Sequence, residues 1–169
     1  MKKIFFLIMV AMILFLSSCS AVGRFAPNNG RDADNRMEQL LGAIENQNKD
    51  TLRAAFSNLA LSESEDFDSQ VKRLFEFFQG TVVSWARDGE PPAGGEVSFG
   101  RRTRQIRAWF EVNTTIENYL IFLIDYTVDT INPENAGLYM LKIIRAEDEH
   151  QLEGAWQDWA TPGIIIGLE

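Results

Sequence analysis

The hydrophobic period of this chain changes once, at Gly80, and that change constrains the fold more than any other feature. Ahead of it, Met37, Leu40, Leu41 and Ile44 recur at helical spacing, and Leu52, Ala55, Phe56 and Leu59 repeat the stripe after a polar break at Asn46–Lys49. Asp50 is placed to cap that second helix. A third helix is expected from an acidic start at Ser62–Asp66 through Phe67, Val71, Leu74, Phe75 and Phe78, with Gly80 as its left-handed cap. Beyond Gly80 the period is 2. Thr81–Arg87 is β-branched and alternating, and residues 88–95 read as turn and loop. Arg102–Thr114 places Ile106, Ala108, Phe110 and Val112 on one face and Arg107, Trp109 and Glu111 on the other. Tyr119–Val128 is apolar on both faces, as a central strand should be, and Gly137–Ala146 follows. Trp156, Trp159 and Pro162–Ile166 suggest a last, partly paired edge. Short connectors between the long strands imply antiparallel neighbours. Helices first and a meander afterwards predict an α+β fold, with the helices covering one face of a curved antiparallel sheet.

The N-terminus has a different character. Lys2 and Lys3 precede an apolar run of 13 residues, Ile4–Leu16, and Leu16-Ser17-Ser18-Cys19 follows. A membrane-spanning helix needs about 20 apolar residues, and a secretory signal cleaved without lipid has no need of this cysteine. The pattern resembles the lipobox of bacterial lipoproteins, which implies that residues 1–18 are a signal peptide and that Cys19 is lipidated. The protein is then expected at the extracytoplasmic face of the cell membrane, held there by a diacylated cysteine without a spanning segment. Residues 19–35, with Gly23, Pro27, Gly30 and scattered Asn and Asp, read as a flexible tether, and residues 36–169 as one domain.

Removing residues 1–18 lowers the basic side chains from 16 to 14 against 24 acidic ones, a formal charge of −10. Such a surface is expected to be repelled by anionic lipid headgroups and by nucleic-acid backbones, so no nucleic-acid partner is expected. Cys19 is the sole cysteine. With it consumed by lipid, neither a disulfide, a thiolate metal site nor a cysteine nucleophile can form.

Few residues suggest chemistry. His150, the one histidine, lies in the polar stretch Ala146–Gln151, poorly suited to acid–base work. Asp125 interrupts an apolar strand beside Tyr126. A carboxylate in an apolar pocket could act as a base, whereas the bland reading is an ion pair with Arg107 or Arg145 on a neighbouring strand. Arg101, Arg102, Arg104 and Arg107 form the basic cluster of an acidic molecule, fit either for an anionic ligand or for cross-strand pairing with acids. Trp85, Trp109, Asp125, Tyr126 and Tyr139 are the candidate pocket residues. Glu147–Glu149 and Asp129–Glu134 offer oxygens but lack the spaced ligands and glycine of a calcium loop. No catalytic residue, metal site or cofactor is assigned, and pairing of two copies through the open sheet face is left open.

Residues 43–56, a helix, a polar break and a second helix with a Leu and a Phe, resemble the opening of nuclear transport factor 2-like domains. Glu65-Asp66-Phe67-Asp68, Leu74–Gly80, Ile121–Tyr126, Asn135–Tyr139 and Pro162-Gly163-Ile164 resemble a family of uncharacterised Gram-positive lipoproteins carrying a domain of unknown function in that superfamily, also called cystatin-like. The resemblance implies a conical domain with a pocket between helices and sheet, and transfers no catalytic residue. The reading that follows is a small-ligand-binding or protein-interaction module. The alternatives are an isomerase- or dehydratase-type enzyme using a pocket Asp and Tyr, and a partner protein in immunity or envelope stress.

Overall fold

Helix α1 spans Asn29–Glu45, and its first turn is fixed by Asn28, whose Oδ1 accepts the backbone N–H of Arg31 at 2.8 Å. A computed structural model describes residues 28–152 and 161–167. The helix therefore begins seven residues ahead of the Arg36 start that apolar periodicity suggested, and residues 29–35 belong to the domain rather than to a tether. Periodicity missed this turn because its contacts are ionic and its apolar positions are small. Gly30 and Ala33 are buried, Asp32 meets Arg104 and Asp34 meets Arg87, each at 2.8 Å. Residues 1–27, including the expected signal, Cys19 and the rest of the tether, lie outside the described residues.

Two short helices follow, α2 (Lys49–Ala55) and α3 (Asn58–Glu63). Asn48, not Asp50, caps α2, accepting from Thr51 N at 3.0 Å. The helix expected over Leu52–Leu59 is broken at Phe56 and Ser57. There the chain turns extended, makes a parallel bridge to Leu138, and Ser57 caps α3 through Ala60 N. Helix α4 (Phe67–Phe77) starts at Asp66, a left-handed cap residue whose carboxylate accepts from both Ser69 N and Ser69 Oγ. Glu63, assigned by sequence to the start of α4, ends α3 instead. Gly80 is not the cap of α4 either, since the helix ends three residues earlier. It has φ +88, and a Cβ there would stand 2.7 Å from Thr114 Oγ1 and 2.9 Å from Ile116 N, so glycine is needed where the chain passes close to a turn.

The sheet contains β1 (Val82–Arg87), β2 (Ala93–Gly94), β3 (Val97–Ser98), β4 (Arg101–Thr114), β5 (Asn118–Asp129), β6 (Gly137–Arg145) and β7 (Gly163–Ile166). Its path is β1-β4-β5-β6-β7, with β2 and β3 also paired to β4. Every pair is antiparallel except β6–β7, which is parallel. The expected edge at Pro162–Ile166 thus exists but runs in the same direction as its neighbour β6, because β7 follows a crossover rather than a tight turn. Trp156 and Trp159, assigned to the same edge, lie outside the described residues. The segment read as loop up to Gly95 also holds β2, and β3 forms a hairpin with β4 that alternation did not reveal.

The helices cover one sheet face, as expected for this α+β fold. Met37, Leu40, Leu52 and Leu74 pack there with Ile106, Phe110, Tyr119, Ile121, Leu123 and Ile143. The opposite face holds a smaller cluster of Phe122, Ile124 and Met140 with Trp109, Tyr126 and Ile165 against it. Strand β5 is thereby apolar on both sides, and the interruption at Asp125 becomes the main feature of the helix-covered side.

Candidate functional site

Asp125 is almost fully buried, yet it is not in an apolar pocket. Arg36, from the middle of α1, reaches it with Nε to Oδ2 at 2.9 Å and Nη2 to Oδ1 at 3.3 Å, the two-pronged arrangement that suits a guanidinium and a carboxylate. Sequence reasoning looked for this partner among strand arginines. Arg107 instead sits opposite Ile124 on the other face, and Arg145 lies 3.6 Å from Glu117 and over the ring of Phe77. The cation comes instead from the helix, at Arg36, the residue where the domain was expected to begin.

One turn toward the start of α1 the pattern repeats. Arg104 donates from Nη1 to Asp32 at 2.8 Å and from Nε to Asn29 Oδ1 at 3.2 Å, with a further contact from Nη2 to the same oxygen. Two register shifts shape this end of the sheet. Arg104 faces Val128 while Gln105 faces Tyr126, which leaves Thr127 as an extra residue on β5, and Tyr139 is likewise extra on β6. The result is a cavity of about 400 Å³ lined by Asp32, Asn35, Arg36, Gln39, Arg104, Asp125 and Thr127. Its two cations and two carboxylates balance. Arg36 Nη1 also donates to Gln39 Oε1 at 2.7 Å, so the lining holds two hydrogen-bonded groups, one around each arginine.

The other candidate pocket residues do not join it. Trp85 sits on the helix-covered side with its ring edge-on to Phe110, at 5.7 Å between centroids. Trp109 packs on Phe122 at 4.6 Å on the far side, where Tyr126 meets Tyr139 edge-on at 6.0 Å. Asp125 and Tyr126 are consecutive strand residues and point to opposite faces, so the aspartate–tyrosine pair of an isomerase-like site is not assembled. Burial, with Glu63 nearby, raises the Tyr139 hydroxyl above its ordinary pKa. His150 is exposed in a 3₁₀ turn, Ala146–Leu152, with Nδ1 2.9 Å from the carbonyl of Glu147.

The acidic loop at Asp129 is committed to its own fold. Oδ1 accepts the N–H groups of Ile131 and Asn132, and Oδ2 accepts from Asn135 Nδ2. Burial pushes this carboxyl up, but the bonds from Asn132, Asn135 and Ile131 together outweigh it and hold Asp129 below the usual carboxylate range.

A larger cavity of about 570 Å³ lies at the other end of the sheet, between α4 and the ends of β6 and β7, and is lined in part by Phe77, Arg145 and Ile166. Its Glu76 and Arg145 are solvent-exposed. We take the smaller cavity as the site, because a carboxylate removed from water needs a reason beyond stability. The residues that sequence reasoning missed had a signal. Asp32, Asn35, Arg36 and Gln39 form a polar stripe at i, i+3, i+4 and i+7, helical spacing read on polar side chains.

A family model described as Domain of unknown function (DUF5104) matches residues 39–146, more than half of the chain. The chain belongs to this family. The match covers the end of α1, the helices α2–α4 and the sheet through β6, and so takes in Gln39, Arg104, Asp125 and Thr127 of the cavity. Asp32, Asn35 and Arg36 lie ahead of it. A comparison with curated proteins finds no match.

Proposed function

We propose that this chain is a lipid-anchored extracytoplasmic module of the nuclear transport factor 2-like type, whose domain holds a small polar ligand in the cavity between α1 and β4–β5. The observation that carries the ligand reading is the buried carboxylate of Asp125, held by the half-buried Arg36 and facing that cavity beside Arg104 and Asp32. Buried ion pairs are often no more stabilising than apolar packing of the same volume. A paired, charge-balanced lining therefore fits a ligand carrying donors and acceptors, or both charge signs, better than it fits an apolar one. Catalysis is disfavoured because the one buried carboxylate in the site is bound by a guanidinium and its tyrosine neighbour faces away. The anchor reading rests on Leu16-Ser17-Ser18-Cys19 behind the apolar run.

Native mass spectrometry of the protein purified from its own host tests the cavity. A reproducible bound small mass, lost on Arg104→Gln, is the expected result; an unliganded protein from several growth conditions would refute it. Radiolabelled palmitate tests the anchor. Wild type should label and Cys19→Ala should not, and labelling of that variant would sink the assignment.

A further inference from the structure

The hairpin that β3 makes with β4 closes through Phe99-Gly100, since Val97 pairs with Arg102 and Ser98 with Arg101. Both turn residues have left-handed φ, +48 and +78. Two-residue hairpins of this kind favour Asn-Gly or Gly-Gly, and a side chain such as Phe in that conformation costs about 1–2 kcal/mol. Among the described residues no packing around Phe99 offsets the cost. Phe99 is 105% exposed and Val97 81%, the two most exposed large apolar residues described. Beneath them the hairpin is firmly held, through Thr103 N to Glu96 O at 2.9 Å and Arg102 N to Thr130 Oγ1 at 2.8 Å. An apolar tip is thus presented on a fixed stem.

Next to the tip stand Arg101 and Arg102, both exposed, and among the described residues neither forms an ion pair. Arg107, further down the same strand, donates from Nε to Gln105, and the acid nearest Phe99 along the chain is Glu96. The molecule as a whole is acidic, but charges farther away than about 8 Å are screened at physiological ionic strength. Locally the tip is basic and apolar.

Its position matters as much. Helix α1 runs from Asn29 at Arg104, past Arg36 at Asp125, to Glu45, whose Oε1 accepts from Val82 N beside Thr114. The start of α1 and the hairpin tip therefore share one end of the sheet. Cys19 precedes Asn28 by nine residues, a reach of up to about 30 Å, while Phe99 lies five residues beyond Arg104, about 17 Å along the strand.

We propose that this hairpin is a membrane-docking element: Val97 and Phe99 enter the boundary between headgroups and acyl chains, and Arg101 and Arg102 bind the phosphates of anionic lipids. The chemistry is that of interfacial anchors, where an aromatic ring sits at headgroup depth and each arginine gains from the negative surface. The placement at the membrane rests on the anchor reading above; the lipid preference of the tip can be measured without it.

The test uses the chain from Ser20 onward, which lacks Cys19 and keeps every described element. It should co-sediment with vesicles of phosphatidylcholine mixed with phosphatidylglycerol at physiological ionic strength, where the distant acids are screened, and much less with phosphatidylcholine alone. Arg101→Ser and Arg102→Ser should each weaken this about fivefold. Phe99→Asn suits the turn, so the fold is kept or gains stability in thermal melts while vesicle binding falls about tenfold. No binding by wild type, or equal binding by Phe99→Asn, would overturn the proposal. So would a loss of self-association in Phe99→Asn without vesicles, which would make the tip a protein contact. An unlabelled wild type, or labelling of Cys19→Ala, would defeat the anchor and leave the vesicle result standing on its own.

Discussion

Arg36 and Asp125 depend on each other in a way that separates single substitutions from the double one. Arg36→Ala leaves a carboxylate with a side chain only 3% exposed and no guanidinium, and should cost about 3–5 kcal/mol in urea unfolding. Arg36→Met combined with Asp125→Leu should recover most of that loss while abolishing any ligand retained in native mass spectra, which would separate stability from binding at one site. Asp129 makes a pH prediction. Its carboxyl titrates below the ordinary range in the folded protein, so its bonds contribute fully above the unfolded value of about 4 and are lost as pH falls through the lower folded value. Asp129→Asn should be less stable than wild type at neutral pH, and the gap should close on acidification below about pH 4. A gap that persists undiminished in acid would contradict this account of the loop. Tyr119, by contrast, is a pin. Burial raises its hydroxyl above the usual range, and that hydroxyl donates to Phe77 O at 3.0 Å and accepts from Gln79 N at 2.7 Å.

Among the elements, the short helices carry the least regular pattern and the most specific backbone. The break between α2 and α3 exists because Ser57 N donates to Leu138 O at 2.9 Å, and β6 can approach only because Gly137 has no side chain. Gly137 has φ +126, and a Cβ would lie 3.0 Å from Ser57 N. Gly137→Ala should therefore lower thermal stability by about 1–3 kcal/mol, and an unchanged melting temperature would mean that this approach is not tight. Helical stripes at Leu52, Ala55 and Phe56 predicted the existence of a helix there, but no local signal marks Phe56 as the residue that leaves it for the sheet. Gly80 was legible as a glycine with a purpose, and the purpose differed: close passage by the β4–β5 turn rather than a cap. The β3–β4 hairpin is hidden in the sequence because Phe99-Gly100 is an unusual turn pair, and that same departure from turn chemistry sets the tip apart.

For the whole molecule, the edge strand decides cooperativity. β7 buries Ile164, whose N–H donates to Gln70 Oε1 of α4 at 2.9 Å, and it covers the edge of β6. A chain ended after Ala160 should melt lower and aggregate on heating, because an apolar strand edge is left unpaired; a monodisperse, unchanged melt would refute this. The sequence by itself determined the class of fold, the period change at Gly80, the buried faces of β4 and β5, and the oddity of Asp125, because these follow from local alternation and from burial of apolar side chains. Only the tertiary structure decided that Arg36 is the partner of Asp125, that α1 starts at Asn29, that Asp125 and Tyr126 belong to different sites, and that β7 runs parallel to β6. Each of these depends on contacts between residues distant in sequence, where polar groups find partners that no local pattern names.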